Sequence, residues 1–346
     1  MEHVKLILIT GLIILLSSCV EEQNNENKFG DFSMIPTEYS IEIPDSFSES
    51  FIGGIRDMTT DLQGNLYLVD HESMDVKKFD REGEMTNVFG LGKGSGPGEF
   101  ENPISVAVDS SGNVYVADMS SKRINIFNSE NEVINQFTAD FAPARIIVDG
   151  NKSIYLIGFP MFYEGDLIQK YELNDENIYH KTVSFGKRPE GVDNRFLGRA
   201  GNVDLLTLDT NGNVYHSLWY PYEIRKYSPD GELVNSFARE VSFFEDPEYD
   251  SNGIVRFTSG SWGLMHLDGD TVINQIFKID ENSEWTFYYD VIDLNLGEHI
   301  GQISEVEANL PFNGRITAID KEQNIFIGRN SPELDVFKYS VISFVE

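Results

Sequence analysis

The sequence predicts an all-β chain, a six-bladed β-propeller closed by an N-terminal strand. Three observations predict it. A tight turn close to the pattern Asp-x-x-Gly-Asn, followed by a short apolar strand, returns along the chain. A second hairpin signal returns downstream of several of these turns. An alternating strand, Tyr39–Ile43, precedes the first full repeat, while the last repeat runs out at 337–345 near the chain end.

The clearest unit lies in Phe89–Asn128. A glycine-rich loop leads into Val106–Val108, and Val114-Tyr115-Val116 follows after Asp109-Ser110-Ser111-Gly112-Asn113. Asp bonds its own backbone in such a turn, and Gly takes the positive φ it needs. Ile124, Ile126 and Phe127 supply a third strand.

Anchoring on the aspartate finds the other copies at Asp61, Asp149, Asp209 and Asp320, the third with its glycine displaced and the last without one. Asp61, Asp109, Asp149 and Asp209 are 48, 40 and 60 residues apart, but Asp209 to Asp320 is 111. A degenerate copy in Trp262–Ile273, anchored at Asp268, splits that gap into 59 and 52 and makes six units. The second signal, Val76–Glu84, Ile124–Glu132 and Ile224–Glu232, reads as the hairpin between the third and fourth strands. Units of this kind leave sheet faces uncovered, so they stack, and a ring of four-stranded sheets is a propeller. Pairing Tyr39–Ile43 with the last unit would leave no blade with an unpaired flank.

Gly92, Gly94, Gly96, Pro97, Gly98, Phe100 and Pro103, followed by VAVDSSGNVYVAD and RINIFN, resemble an NHL repeat. From about Tyr39 onward the chain resembles the six-bladed β-propeller lipoproteins of Bacteroidetes-type bacteria. The resemblance implies the fold and leaves the activity open, because propellers host enzymes and binding modules alike.

The N-terminus reads as a targeting segment. Lys5 gives a positive start, Leu6–Leu16 is an apolar run too short to span a membrane, and Leu16-Ser17-Ser18-Cys19 looks like a bacterial lipobox. The expected organisation is a signal peptide at 1–18, a lipidated Cys19 with a flexible tether over 19–36, and the propeller over 37–346. Val20-Glu21-Glu22 resembles the acidic export signal of surface lipoproteins, so an outer-membrane location is expected, periplasmic or on the cell surface. Cys19 is the single cysteine, which leaves the mature domain without disulfides.

With 26 Lys and Arg against 57 Asp and Glu, the net charge is −31. That opposes phosphate backbones and anionic lipid, so nucleic acid is excluded as a partner and the acyl chain must do the anchoring. A monomer is expected.

The motif search is mostly negative. His-Glu-x-x-His, Gly-x-Ser-x-Gly and Cys-x-x-Cys are absent, and the glycines at 90–98 do not form G-x-G-x-x-G. Asp209–Asn213 carries its glycine at the fourth position and lacks the bidentate Glu of a calcium loop. No cofactor or metal is expected, and His266 is the one histidine placed where an innermost strand could turn it toward the central channel.

Propeller topology gathers the remaining chemistry on one loop face. The candidate ligand-binding residues are Phe162, Tyr163, Trp219, Tyr220, Tyr222 and Trp262, with Arg56, Arg145, Arg199 and Arg315. Aromatic platforms stack on sugars or side chains, and arginine forks hold carboxylates. The expected function is a non-catalytic binding or scaffold propeller for a glycan, peptide or partner protein, an anionic ligand suiting both residue types. In the competing arrangement the aromatics pack between blades and the arginines pair with local carboxylates. The alternative function is a metal-dependent, lactonase-like propeller hydrolase or lyase with its site in the channel. The starts of the innermost strands, with Arg56, Ser105, Arg145, Asp204 and Arg315, offer poor metal chemistry for it.

Overall fold

The computed structural model describes residues 34–37, 52–159, 164–190, 192, 205–249, 255–305, 315–319, 324–328 and 337–341. Every regular element among them is a β-strand, and the fold is a β-propeller.

After β1 (Met34–Thr37), the chain runs through five antiparallel meanders of four strands each. The first is β2 (Ile55–Thr60), β3 (Leu66–Asp70), β4 (Asp75–Phe79) and β5 (Met85–Phe89). The second is β6 (Pro103–Val108), β7 (Val114–Asp118), β8 (Arg123–Phe127) and β9 (Val133–Thr138). The third is β10 (Pro143–Val148), β11 (Ile154–Gly158), β12 (Ile168–Leu173) and β13 (Tyr179–Phe185). The fourth is β14 (Leu205–Leu208), β15 (Val214–Ser217), β16 (Glu223–Tyr227) and β17 (Leu233–Ala238). A two-residue hairpin, β18 (Glu248–Tyr249) and β19 (Val255–Arg256), precedes the fifth, which is β20 (Ser259–Asp268), β21 (Thr271–Ile279), β22 (Trp285–Asp293) and β23 (Glu298–Ser304). The degenerate turn at Asp268 joins β20 to β21, as its pattern predicts. The last strands, β24 (Arg315–Ile319), β25 (Asn324–Gly328) and β26 (Phe337–Val341), lie in one sheet in the order β1-β26-β25-β24.

One point differs from the sequence expectation. The strand paired with β26 is Met34–Thr37, which begins inside the stretch expected to be tether. Tyr39–Ile43, the strand expected there, lies outside the described residues, as do the targeting segment, Cys19 and the sixth turn at 320–323.

The burial pattern explains why these segments are strands. Second strands such as Val114–Asp118 and Ile154–Gly158 are buried at every position. Sheets stacked face to face cover both sides, so the sequence reads as a near-continuous apolar run. Fourth strands alternate or stay exposed, as an outer edge does. The core therefore sits between blades. Tyr67, Phe89, Phe100, Val116 and Phe127 fill the first interface, and Tyr155, Ile157, Phe185, Val214 and Tyr227 the third. Asparagines on the fourth strands stitch the outer rims. Asn87 donates to the Ser129 carbonyl at 2.9 Å, Asn135 to Asn177 at 2.8 Å, and Asn235 to the Leu294 carbonyl.

The glycine-rich loop before β6 is structural. Gly90 sits at φ 107°, where a Cβ would meet the Phe100 ring at 2.4 Å. Phe100 is itself fully buried between the first two blades.

Candidate functional site

Antiparallel meanders send the connections into first strands and out of second strands to the same end, and this end is the loop face. First strands lie side by side, β2 against β6, β6 against β10, β10 against β14, β14 against β20, β20 against β24 and β24 against β2.

The arginines at the starts of innermost strands do not share one register. A β-bulge interrupts the start of β2, β6, β10 and β20. Such a bulge inserts one unpaired residue and re-aims its neighbours. Arg56 is the bulged residue of β2 and is exposed, in the position of Ile104, Ala144 and Trp262. Arg145 follows the bulge of β10, level with Asp57 and Ser105. Arg315 begins β24 before the irregularity between Ile316 and Ala318. The three arginines thus stand at three different registers.

Arg145 is 8 % exposed and donates through Nη1 to Asp57 Oδ1 at 3.4 Å. The other Asp57 oxygen accepts from the Ser105 hydroxyl and from Val106 N–H at 3.2 Å, and Ser105 Oγ accepts from Ile146 N–H at 3.1 Å. This chain of contacts ties the first three innermost strands together and consumes the carboxylate. Among the described residues no group of three or more His, Cys, Asp or Glu side chains is arranged to hold a metal ion. His266 lies at the opposite, turn end, with Nε2 at 2.9 Å from the Gly269 carbonyl oxygen and its ring near Tyr215.

The aromatic candidates divide. Trp219 and Tyr222 are enclosed, at 2 % and 4 % exposure, so neither offers a face to solvent. Trp219 packs edge-on to Phe257 at 5.0 Å and against Phe277 at 5.8 Å, between the fourth and fifth blades. Trp262 is half-buried beside Trp285 at 5.6 Å, and Trp285 stacks on Phe277 at 4.7 Å. All three tryptophans of the chain therefore belong to one cluster at the loop face of the fifth blade. Phe162, Tyr163 and Arg199 lie outside the described residues, and of Arg315 only the backbone is described.

Tyr220 packs on the edge of that cluster and opens into a cleft of about 630 Å³. Tyr220, Pro221 and Tyr222 line one side, from the connection between β15 and β16; Arg239, Glu240 and Phe244, from the segment after β17, line the other. The Tyr220 and Phe244 rings are nearly parallel, 5° apart in plane with centroids 6.2 Å apart, and Tyr222 stands edge-on to Phe244 at 5.6 Å. The Tyr220 hydroxyl donates to Asp246, and burial together with that carboxylate pushes it up to about 12.

Beneath the cleft lies a buried acid. Asp290, on β22, is fully enclosed. Its Oδ2 accepts from Tyr222 Oη at 2.6 Å and from Arg239 Nη2 at 2.6 Å, and its Oδ1 accepts from Gln302 Nε2 at 2.5 Å. His299 Nε2 is 3.5 Å from Oδ1. Burial acts to raise the Asp290 carboxyl, but the partners His299, Arg239 and Tyr222 outweigh it and hold it below the usual carboxylate range. Arg239 also stands over the Tyr222 ring, its guanidinium carbon 5.4 Å from the centroid.

Sequence reasoning missed Phe244, Arg239, Glu240, Asp290 and Trp285. The legible signal was the long link after the fourth strand of the fourth unit, in which Phe243-Phe244 sits among acidic residues. Asp290 gave none, because its partners Gln302, Arg239 and Tyr222 are 12, 51 and 68 residues away.

The NHL repeat family model matches residues 100–127, which is most of the second blade. No curated protein matches the chain. Solved structures share the fold at low identity. A member of the DUF4221 family from Bacteroides vulgatus is 12 % identical with a TM-score of 0.60, over 91 % of this chain and 100 % of its own. A putative exported protein from Bacteroides fragilis is 12 % identical at 0.59, over 93 % and 98 %. Virginiamycin B lyase from Staphylococcus aureus is 11 % identical at 0.51, over 90 % and 100 %.

Proposed function

We propose that this chain is an exported, lipid-anchored, non-catalytic binding propeller, and that it takes its ligand, a glycan, peptide or partner protein, in the cleft lined by Tyr220, Tyr222, Arg239 and Phe244. The observation that carries the reading is the cleft itself, which combines about 630 Å³ of space with a lining that holds the stacked Tyr220 and Phe244 rings and polar groups at its rim. Ligand sites commonly have this size and this mix of apolar wall and few polar groups. The buried Asp290 cluster beneath fixes Tyr222 and Arg239 in place, so the wall is preorganised.

The same reading makes the domain a six-bladed ring closed by its N-terminal strand. The pairing of β1 with β26 and the contact of β24 with both β20 and β2 support it. Export and anchoring rest on Leu16-Ser17-Ser18-Cys19. A similar fold described as a putative exported protein in Bacteroides fragilis supports the extracytoplasmic side. The protein then sits as a monomer on the outer membrane, held by acylated Cys19, with no nucleic acid among its partners.

A glycan and peptide array followed by titration tests the cleft. Tyr220→Ala and Phe244→Ala should each weaken binding by about 1–3 kcal/mol, the range for a central aromatic anchor. Asn113→Ala, in a turn at the opposite end, should leave it unchanged. Binding that survives both cleft substitutions places the site elsewhere.

A further inference from the structure

We infer that the cleft selects for positive charge and takes a lysine or arginine side chain presented by a basic segment of a partner protein. The inference rests on the binding reading above and reverses the ligand charge that the sequence suggests. The reversal follows from where the cations are spent. Arg239 gives Nη2 and Nε to Asp290, at 2.6 Å and 3.2 Å. Arg225, next to the cleft residue Glu223, forks onto that carboxylate at 2.6 Å and 2.8 Å. Lys187, whose carbonyl accepts from Arg225, is paired with Asp166 at 2.5 Å. An incoming carboxylate or phosphate would find each of these cations already engaged.

One anion of the cleft wall is placed differently. Glu240 is exposed at the cleft wall, and Asp246 is exposed where it accepts the Tyr220 hydroxyl. Glu245 and Glu248 are exposed on the same segment. Aromatic faces carry negative potential and attract ammonium and guanidinium groups. The molecule already uses this attraction at the same place, with Arg239 over Tyr222. The volume of the cleft exceeds what one cationic head group needs, which suits a peptide segment better than a small amine. A net charge of −31 draws a basic segment in and repels an acidic one.

The test is calorimetric titration, at physiological salt, of the full domain with three octapeptide or sugar probes: alternating lysine and glycine, alternating glutamate and glycine, and a neutral chito-oligosaccharide. The lysine peptide should bind. Glu240→Gln should weaken it about two- to fivefold, the span of one exposed ion pair, and Phe244→Ala about fivefold or more, the loss of a central aromatic anchor. Glu130→Gln removes the same charge from a distant exposed turn and should change nothing. Equal loss in Glu130→Gln would mean diffuse attraction to an acidic molecule and overturn the proposal. If the neutral or acidic probe binds in a Phe244-dependent way and the lysine peptide does not, the cleft stands as the site and its preference for cations falls. If no probe responds to Phe244→Ala, both readings fall. Because Glu240 is exposed, its variant reports on the site even if Phe244→Ala disturbs folding.

Discussion

At the residue scale each of the first four blades turns on one aspartate. Asp109 Oδ1 accepts from Ser111 N–H at 2.8 Å and Asn113 N–H at 2.9 Å, while Oδ2 accepts from Asn113 Nδ2 at 2.7 Å and Tyr115 Oη at 3.0 Å. Asp61 and Asp209 repeat the set with Asn65 and Tyr67, and with Asn213 and Tyr215. The Asp, Gly and Asn of this pattern were legible as a turn, because their conformational demands are local. The tyrosine read only as a strand residue, since its bond runs back six positions across the hairpin. Burial and the neighbouring acid push all of these tyrosine hydroxyls up, so they stay protonated donors. Asp109→Ala leaves buried donors without an acceptor and should cost about 2–4 kcal/mol, against about 1 kcal/mol for Tyr115→Phe, which removes a single bond. Urea unfolding of the two variants measures both. Equal losses would mean that the backbone bonds to Asp109 contribute nothing.

At the scale of elements, the strands were legible and their register was not. Buried second strands announce themselves by composition, whereas a bulge is one residue of slippage that no local pattern marks. That is why Arg56 and Arg145 looked equivalent in sequence and are not. The cleft was half legible: Tyr220 and Tyr222 stand in a short aromatic connection, but their partners come from β22 and the segment between β17 and β20. Asp290 gives this arrangement a pH dependence. Its folded carboxyl lies below the ordinary value, as does that of Asp70, which burial raises but the Gly53 N–H and Lys77 lower further. The unfolded chain therefore takes up protons first as pH falls. The stabilisation is fully present above the unfolded value of about 4 and is lost as pH drops through the lower folded values. Melting temperature should hold from neutral pH to about 5 and then fall steeply. Asp290→Asn should lower stability at neutral pH by about 3–5 kcal/mol, the cost of stranding a buried partner, and flatten the acid limb. An unchanged acid limb would assign the acid sensitivity to other carboxylates.

At the scale of the whole molecule, repetition made the propeller legible, since a turn and strand that return along the chain imply stacked sheets that no single strand reveals. The ends of the ring were harder, because closure depends on pairing across the full length of the chain. Tyr39–Ile43 lies outside the described residues, and the ladder to β26 runs through Met34↔Val341, Ile35↔Ser340, Pro36↔Tyr339 and Thr37↔Lys338. In the proposed closed ring that short ladder decides whether the sixth sheet keeps four strands. A propeller sheet stripped of its outermost strand exposes an unpaired edge and loosens its contact with both neighbours. Beginning the chain at residue 38 removes the ladder while leaving every later strand in place. Each backbone bond is worth roughly 0.5–1.5 kcal/mol, so the four-residue ladder should cost several kcal/mol in total. The loss should appear as a lower urea midpoint, and hydrogen exchange should quicken first along β25 and β26. Supplying residues 34–37 in trans as a peptide should restore part of the protection, because the edge it leaves is a template for strand addition. A shortened domain with the full-length midpoint, and with unchanged exchange along β26, would show that the ring does not depend on its N-terminal strand.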